Sequence, residues 1–246
     1  RDILDQLFQS GMTGVRLNMS HTSLAQCAPL LDGLYWPAAR QAGRGDAHLI
    51  LDLQGPELRV GELPQPIPLR EGLDILLGDG GIPVPQVILK TARRGQQISI
   101  DDGALLLEVR RTSSTVLLCR VLQGGPLLSK KSLSLLGAEV DTPTLTPADL
   151  DNLAQAGRFG VTHILQPFVR NRRDIDILRQ TLEGLGLGRV QVMAKIEEQQ
   201  GLDHLDEIMA AADQVCIARG DLGSSIPLWK LPGIQKDIAR RCRAAG

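Results

Sequence analysis

Lys195 and Glu197 are two residues apart in the run Met193-Ala194-Lys195-Ile196-Glu197, whose apolar content suits a buried strand. Alternate residues of a strand share a face, so the ammonium and the carboxylate project the same way. At the carboxyl end of a parallel strand they stand where α/β enzymes assemble their sites. A second run, Ala218-Arg219-Gly220-Asp221-Leu222-Gly223, directly follows predicted strand residues 214–217 and puts Asp221 at the strand terminus. The backbone N–H groups of the following turn can bind a small anion. Two carboxylates from neighbouring strand ends suit Mg²⁺, which takes oxygen ligands and shares them with water and substrate. A lysine beside that cation can stabilise an enolate or a phosphoryl group in transfer. Each run alone also fits a solvated strand end or a plain turn. Their combination with Arg16, Asn18 and Ser20 on one predicted strand, and Asp52 on another, carries more weight.

Elements that would hold these groups can be read from periodicity. Apolar residues at helical spacing predict helices over 3–10, 23–41, 147–156, 172–183 and 201–212. Pro37 should kink or break the second of these. Thr146 before Pro147 reads as an N-cap with proline at the first helical position. Predicted strands cover 14–20, 48–53, 162–169, 190–197 and 214–218. Strands alternating with helices argue for a parallel α/β architecture, either a (β/α) barrel or a doubly wound sheet, and periodicity does not separate the two. Between about 57 and 141 the texture changes to short segments split by Gly and Pro, with a hairpin predicted from 104–110 and 115–121. That stretch reads as a small all-β unit inserted into the α/β frame.

Composition narrows the partners. The 246 residues carry 27 Lys+Arg against 28 Asp+Glu, and only 2% are aromatic, so basic excess and stacking rings for a nucleic acid are both lacking. No apolar run reaches the ~18 residues that cross a bilayer. Cys27, Cys119, Cys216 and Cys242 are far apart, without metal-ligand spacing, which fits a reducing, cytoplasmic setting. His163 and His204 lack partners at metal spacing in the sequence. The glycines of 184–188 follow a helix and precede a strand, so they read as a helix stop rather than a dinucleotide loop.

The ordered set GMTGVRLNMSH (11–21), LDLQGPELR (51–59), ISIDDG (98–103), SKK (129–131), AKIEE (194–198) and ARGDLG (218–223) resembles the pyruvate kinase family over nearly the whole chain. The resemblance implies a (β/α)8 TIM-type barrel, interrupted over 57–141 by a small β domain acting as a lid, with barrel segments 1–56 and 142–246. It implies the last step of glycolysis, phosphoenolpyruvate plus ADP giving pyruvate plus ATP, with Mg²⁺ (or Mn²⁺) and K⁺. In that reading Lys195 and Arg16 are catalytic, the arginine on the transferring phosphate. Ala218, Arg219, Gly220 and Asp221 receive substrate, and Glu197 and Asp221 hold the divalent metal. Asn18, Ser20, Asp52 and the backbone carbonyl of Leu53 surround K⁺. Arg16, His21, Arg59 and Lys131 meet the nucleotide phosphates. Several cations spreading phosphoryl charge is what such a transfer requires of a protein.

Departures from the family pattern are Gln54 in place of Lys, Thr22 in place of Gly, Leu53 in place of Thr, Gln166-Pro167 in place of two small residues, and a shorter insertion. The chain starts at Arg1, and a TQMLES-like stretch with the family's substrate threonine would lie past Gly246. By this reckoning it holds the second to sixth barrel strands, and the expectation is part of a longer chain or a homo-oligomer. The alternatives are a metal-dependent lyase or aldolase of the phosphoenolpyruvate/pyruvate barrel group, and a non-catalytic pyruvate kinase-like binding protein.

Overall fold

In the computed structural model, which describes residues 2–138 and 140–245, the chain divides into two units, Arg1–Pro56 with Thr144–Gly246, and Glu57–Pro143. The first opens with α1 (Asp2–Gln9), β1 (Gly14–Asn18) and α2 (Leu24–Leu30), continues through a π-helical turn (Leu31–Tyr35) into α3 (Trp36–Gln41), and reaches β2 (His48–Asp52). The predicted helix over 23–41 is therefore one helical path with a widened turn before Pro37, not a break at it. Pro37 has no N–H to donate to the preceding turn, and its ring crowds the carbonyl there. The Trp36 N–H accordingly reaches back to Leu31 O, one residue further than in an α-helix.

The second unit contains β3 (Ile67–Leu69), β4 (Asp74–Gly78), α4 (Gln86–Thr91), β5 (Gln97–Ile100), β6 (Leu105–Thr112), β7 (Val116–Gln123), β8 (Gly125–Leu127) and β9 (Leu133–Leu135). Five of these strands form an antiparallel sheet in the order β4-β7-β6-β5-β9, and β3 pairs with β8. The predicted hairpin is present with longer arms, bent by register shifts at Leu106/Leu107 and Val109/Arg111. The all-β expectation needs one correction: α4 turns Ile88 and Leu89 into this unit's core, beside Leu77, Ile98, Leu107 and Leu117.

The chain returns to the first unit as α5 (Pro147–Ala156), β10 (His163–Gln166), α6 (Arg172–Gly184), β11 (Gln191–Ile196), α7 (Gln199–Asp203), α8 (Leu205–Ala211), β12 (Gln214–Ile217), α9 (Arg219–Ser225), a 3-10 turn (Leu228–Lys230) and α10 (Leu231–Ala245). Thr146 caps α5 as predicted: its hydroxyl accepts the Asp149 N–H while the Asp149 carboxylate accepts the Thr146 N–H at 2.9 Å. The predicted helix over 201–212 is split at His204. Gly201 of α7 is pressed on the Val169 carbonyl, and the chain re-angles before Leu205 and Ile208 enter the core. The predicted turn at 218–223 is the start of α9, with Ala218 as its N-cap.

Strands β1-β2-β10-β11-β12 form one parallel sheet in chain order. Among the described strands the order never reverses, so the sheet lacks the switch point of a doubly wound fold. One face, carrying Leu49, Leu51, Ile164, Val192, Ala194 and Ile196, is buried under helices through Leu31, Tyr35, Leu153, Leu178, Ile208 and Ile238. A fully buried leucine in such a layer is worth about 2–5 kcal/mol against alanine. By alternation the other face presents Arg16, Asn18, Asp52, Lys195 and Cys216. No helix among the described residues is long and apolar enough to cross a membrane.

Candidate active site

The carboxyl ends of β11 and β12 bring the predicted lysine and both carboxylates together. Lys195 Nζ lies 2.5 Å from Glu197 Oε1 and 3.8 Å from Asp221 Oδ2. Glu197, one residue beyond β11, has 2% of its side chain exposed, whereas Asp221, in the first turn of α9, has 55%. Glu197 Oε2 accepts the backbone N–H of Phe168 at 2.7 Å. Thus one carboxylate is buried and doubly held, and the other stands open to an incoming group.

Burial works to lower the Lys195 pKa, but Glu197, Asp52 and Asp221 outweigh it and hold the ammonium above its ordinary range. Burial pushes Glu197 up to about 7 against the opposing pull of Lys195 and the Phe168 amide, and Asp221 adds to the rise. Asp52 is raised first by burial and then by Asp221, with Lys195 and Arg16 pulling it down. These couplings place β1, β2, β11 and α9 groups in one electrostatic cluster with a surplus of carboxylates, the setting that favours a bound cation.

Across the sheet, Arg16 approaches Asp52 at 3.7 Å, and Asn18 is in register with Asp52. The Ser20 N–H donates to Asn18 Oδ1 at 2.9 Å, which folds the chain after β1 so that Asn18 and Ser20 stay close. The Met19 N–H meets the Asp52 carbonyl, and the Leu53 N–H meets the Leu165 carbonyl. Leu53 itself packs into the apolar layer, so leucine in place of threonine changes the side chain and leaves the backbone in the strand-end turn. His21 is exposed after β1; Arg219 and Gly220 are exposed in the first turn of α9.

Arg59 and Lys131 belong to the second unit and are neighbours there. Arg59 bridges to Ser132, and the Val60 N–H donates to the Lys131 carbonyl at 2.9 Å. The Arg59 guanidinium is shared between Glu57, at 2.6 Å, and the Lys130 carbonyl. Lys131 pairs with Asp101 at 2.9 Å. Asp101 has a left-handed backbone together with Asp102.

Sequence reasoning missed two participants. Cys216 is in register with Lys195 on the same face. Its thiol is raised by burial, with Lys195 and Arg16 pulling it down. Period-2 alternation from Lys195 and Gln214 would have located it. Phe168 contributes through its backbone, at φ 52°; its only sequence signal is the unusual Gln166-Pro167 before it.

The donor chemistry fits Mg²⁺ or Mn²⁺: two hard carboxylates, Glu197 and Asp221, flank the Lys195 ammonium, and such ions take oxygen ligands from carboxylates together with water and substrate. Among the described residues no group of three or more His, Cys, Asp or Glu is placed to hold a metal ion.

A sequential parallel sheet with helices on one face and a lysine–carboxylate cluster at its strand ends defines a parallel α/β protein. The profile of the family described as "Pyruvate kinase, barrel domain" matches residues 1–246, and the chain belongs to that family. It is 33% identical over 256 residues to pyruvate kinase of Geobacillus stearothermophilus, covering 100% of this chain and 43% of that protein. It is 35% identical to pyruvate kinase of Agrobacterium vitis, covering 99% of this chain and 52% of that protein. A crystal structure of a pyruvate kinase from Cryptosporidium parvum superposes with a TM-score of 0.90 at 27% identity, covering 99% of this chain and 53% of that one. The chain spans about half the length of these relatives.

Proposed function

We propose that this chain carries the catalytic part of a pyruvate kinase, which transfers a phosphoryl group from phosphoenolpyruvate to ADP as the last step of glycolysis. The observation that carries the reading is Lys195 held between Glu197 and Asp221 at adjacent strand ends. When the phosphoryl group leaves the enol oxygen for a β-phosphate oxygen of ADP, negative charge develops on the enolate before a proton converts it to pyruvate. The Lys195 ammonium, kept charged by its three carboxylates, stands ready to stabilise that oxygen. Glu197 and Asp221 would hold Mg²⁺ or Mn²⁺, which supplies Lewis-acid charge when bound.

Arg16 spreads charge on the transferring phosphate, and Ala218, Arg219 and Gly220 receive the substrate at the α9 N-terminus. Asn18, Ser20, Asp52 and the Leu53 carbonyl form the K⁺ position. His21, Arg59 and Lys131 meet the nucleotide phosphates, the last two from a lid that comprises 57–141. The five parallel strands are part of a closed (β/α)8 barrel in this reading, within a homo-oligomeric, cytoplasmic enzyme; the four free cysteines support that compartment.

The test is a lactate dehydrogenase-coupled assay of the full-length gene product with Mg²⁺ and K⁺. ADP-dependent pyruvate formation is expected, with Lys195→Met and Asp221→Ala each losing about a hundredfold to a thousandfold, the scale of a lost charge-stabilising group. Wild-type rates in either variant, or aldol cleavage without ADP-dependent pyruvate, would overturn the assignment.

A further inference from the structure

Glu197 is positioned by a chain of contacts that begins 48 residues upstream, at the buried carboxylate of Asp149. Asp149 Oδ2 accepts from the N–H and the hydroxyl of Thr146, completing the cap of α5. Its Oδ1 accepts the Gln54 N–H at 2.9 Å and the Gly55 N–H at 3.4 Å. One carboxylate therefore ties the start of α5 to the loop that leaves β2.

Gly55, with φ +65°, lies against the next segment. A Cβ there would come 2.5 Å from Pro167 Cγ and 2.9 Å from a ring carbon of Phe168. Only glycine allows both this backbone conformation and this approach. Phe168, at φ 52°, is in a left-handed conformation that a bulky side chain rarely adopts. That conformation accompanies an N–H aimed at Glu197 Oε2, 2.7 Å away. A residue held against its backbone preference, at the point where it meets a buried carboxylate, requires surroundings that enforce it.

We propose that Gly55 and Asp149 are positioning residues for Glu197: the Asp149 carboxylate fixes the Gln54–Gly55 backbone, the bare Gly55 lets Pro167 and Phe168 close on it, and the Phe168 N–H then sets the carboxylate. The proposal rests on the reading of Glu197 as a ligand of the divalent metal. Partners that orient a metal's ligands typically govern affinity by tenfold to a hundredfold.

The test uses the full-length gene product, with Gly55→Ala, the double variant Gly55→Ala/Pro167→Ala, and Asp149→Asn. Three quantities are measured: hydrogen exchange at the Phe168 amide without metal, Mn²⁺ affinity by water-proton relaxation, and the unfolding midpoint. Gly55→Ala is expected to deprotect the Phe168 amide and weaken Mn²⁺ about tenfold or more. Removing the Pro167 ring should restore much of both losses, which lost glycine flexibility alone would not explain. Asp149→Asn keeps an acceptor toward Gln54 but loses the charge and one capping oxygen, so an intermediate loss is expected. Should Gly55→Ala fail to fold, Asp149→Asn alone decides through the same measurements. A lowered midpoint with wild-type Mn²⁺ affinity and Phe168 protection would overturn the proposal. Wild-type protein that binds no Mn²⁺, yet loses Phe168 protection in the variants, would refute the metal reading while leaving the positioning chain intact.

Discussion

Lys195 and Glu197 form a 2.5 Å ion pair in which the carboxylate is almost wholly buried, with 2% of its side chain exposed. Neutralising the lysine would leave that carboxylate to ionise without its partner, at a cost of about 3–5 kcal/mol for an uncompensated buried charge. Glu197 is already pushed up to about 7, so in Lys195→Met it keeps its proton further into the alkaline range. A folded-state value above the unfolded one means the native state binds the extra proton, and stability falls as pH rises through that window. Lys195→Met should therefore be only slightly less stable than wild type at pH 6 and several kcal/mol less stable at pH 9. Urea unfolding at the two pH values measures it, and an equal loss at both would refute it.

Asp221 shares the lysine but not the burial, and its prediction has the opposite balance. With 55% of its side chain exposed and 3.8 Å to Lys195, it contributes little to holding the fold. Asp221→Asn should leave the unfolding midpoint close to wild type, within about 0.5 kcal/mol. The same variant should bind Mn²⁺ at least tenfold more weakly in a relaxation titration. A marked loss of stability with unchanged Mn²⁺ binding would reassign Asp221 to structure.

Local residue choices made parts of this legible in the sequence and tertiary contacts hid the rest. Thr146 and Pro147 announce the start of α5 because the cap and the proline are adjacent in the chain. Lys195 and Asp221 were found because strand alternation and strand ends are themselves sequence patterns. The widened turn before Pro37 was not legible: proline signals a disturbed helix but not whether the helix breaks or dilates. Nor was the Phe168 N–H to Glu197, a backbone group meeting a side chain 29 residues away. Asp149 went unread in the sequence: one of its oxygens completes the cap of α5, while the other serves a loop 95 residues upstream.

Asn152 shows how α5 serves a second helix. Its Oδ1 accepts the Leu24 N–H at 2.8 Å, at the first turn of α2, and only 3% of the residue is exposed. Asn152→Ala removes the acceptor and strands a buried donor, a loss of about 1–3 kcal/mol. Equilibrium denaturation should show the drop, while Asn152→Asp should recover most of it because an oxygen remains in place. If alanine and aspartate variants behave alike, the hydrogen bond is not what stabilises this junction.

His163 supplies the last test, at the opposite end of β10 from Phe168. Its ring meets that of His48 edge-on, with centroids 4.8 Å apart, and its Nδ1 lies 2.8 Å from the Thr162 hydroxyl. Burial lowers its pKa and the neighbouring His48 lowers it further, against raising contributions from Gln191 and Asp213. With the folded value below the unfolded one, the unfolded chain takes up the proton first as pH falls below about 6.5, so acid erodes stability over that interval. Glu197 and Asp52, whose values are raised, tilt the curve the other way, so the informative quantity is wild type minus His163→Gln. That difference should shift in the wild type's disfavour between pH 7 and pH 5, by about 1.4 kcal/mol for each unit by which the fold depresses the imidazole. Urea unfolding of both proteins across the range measures it, and a difference independent of pH would show that His163 titrates alike in the folded and unfolded chains.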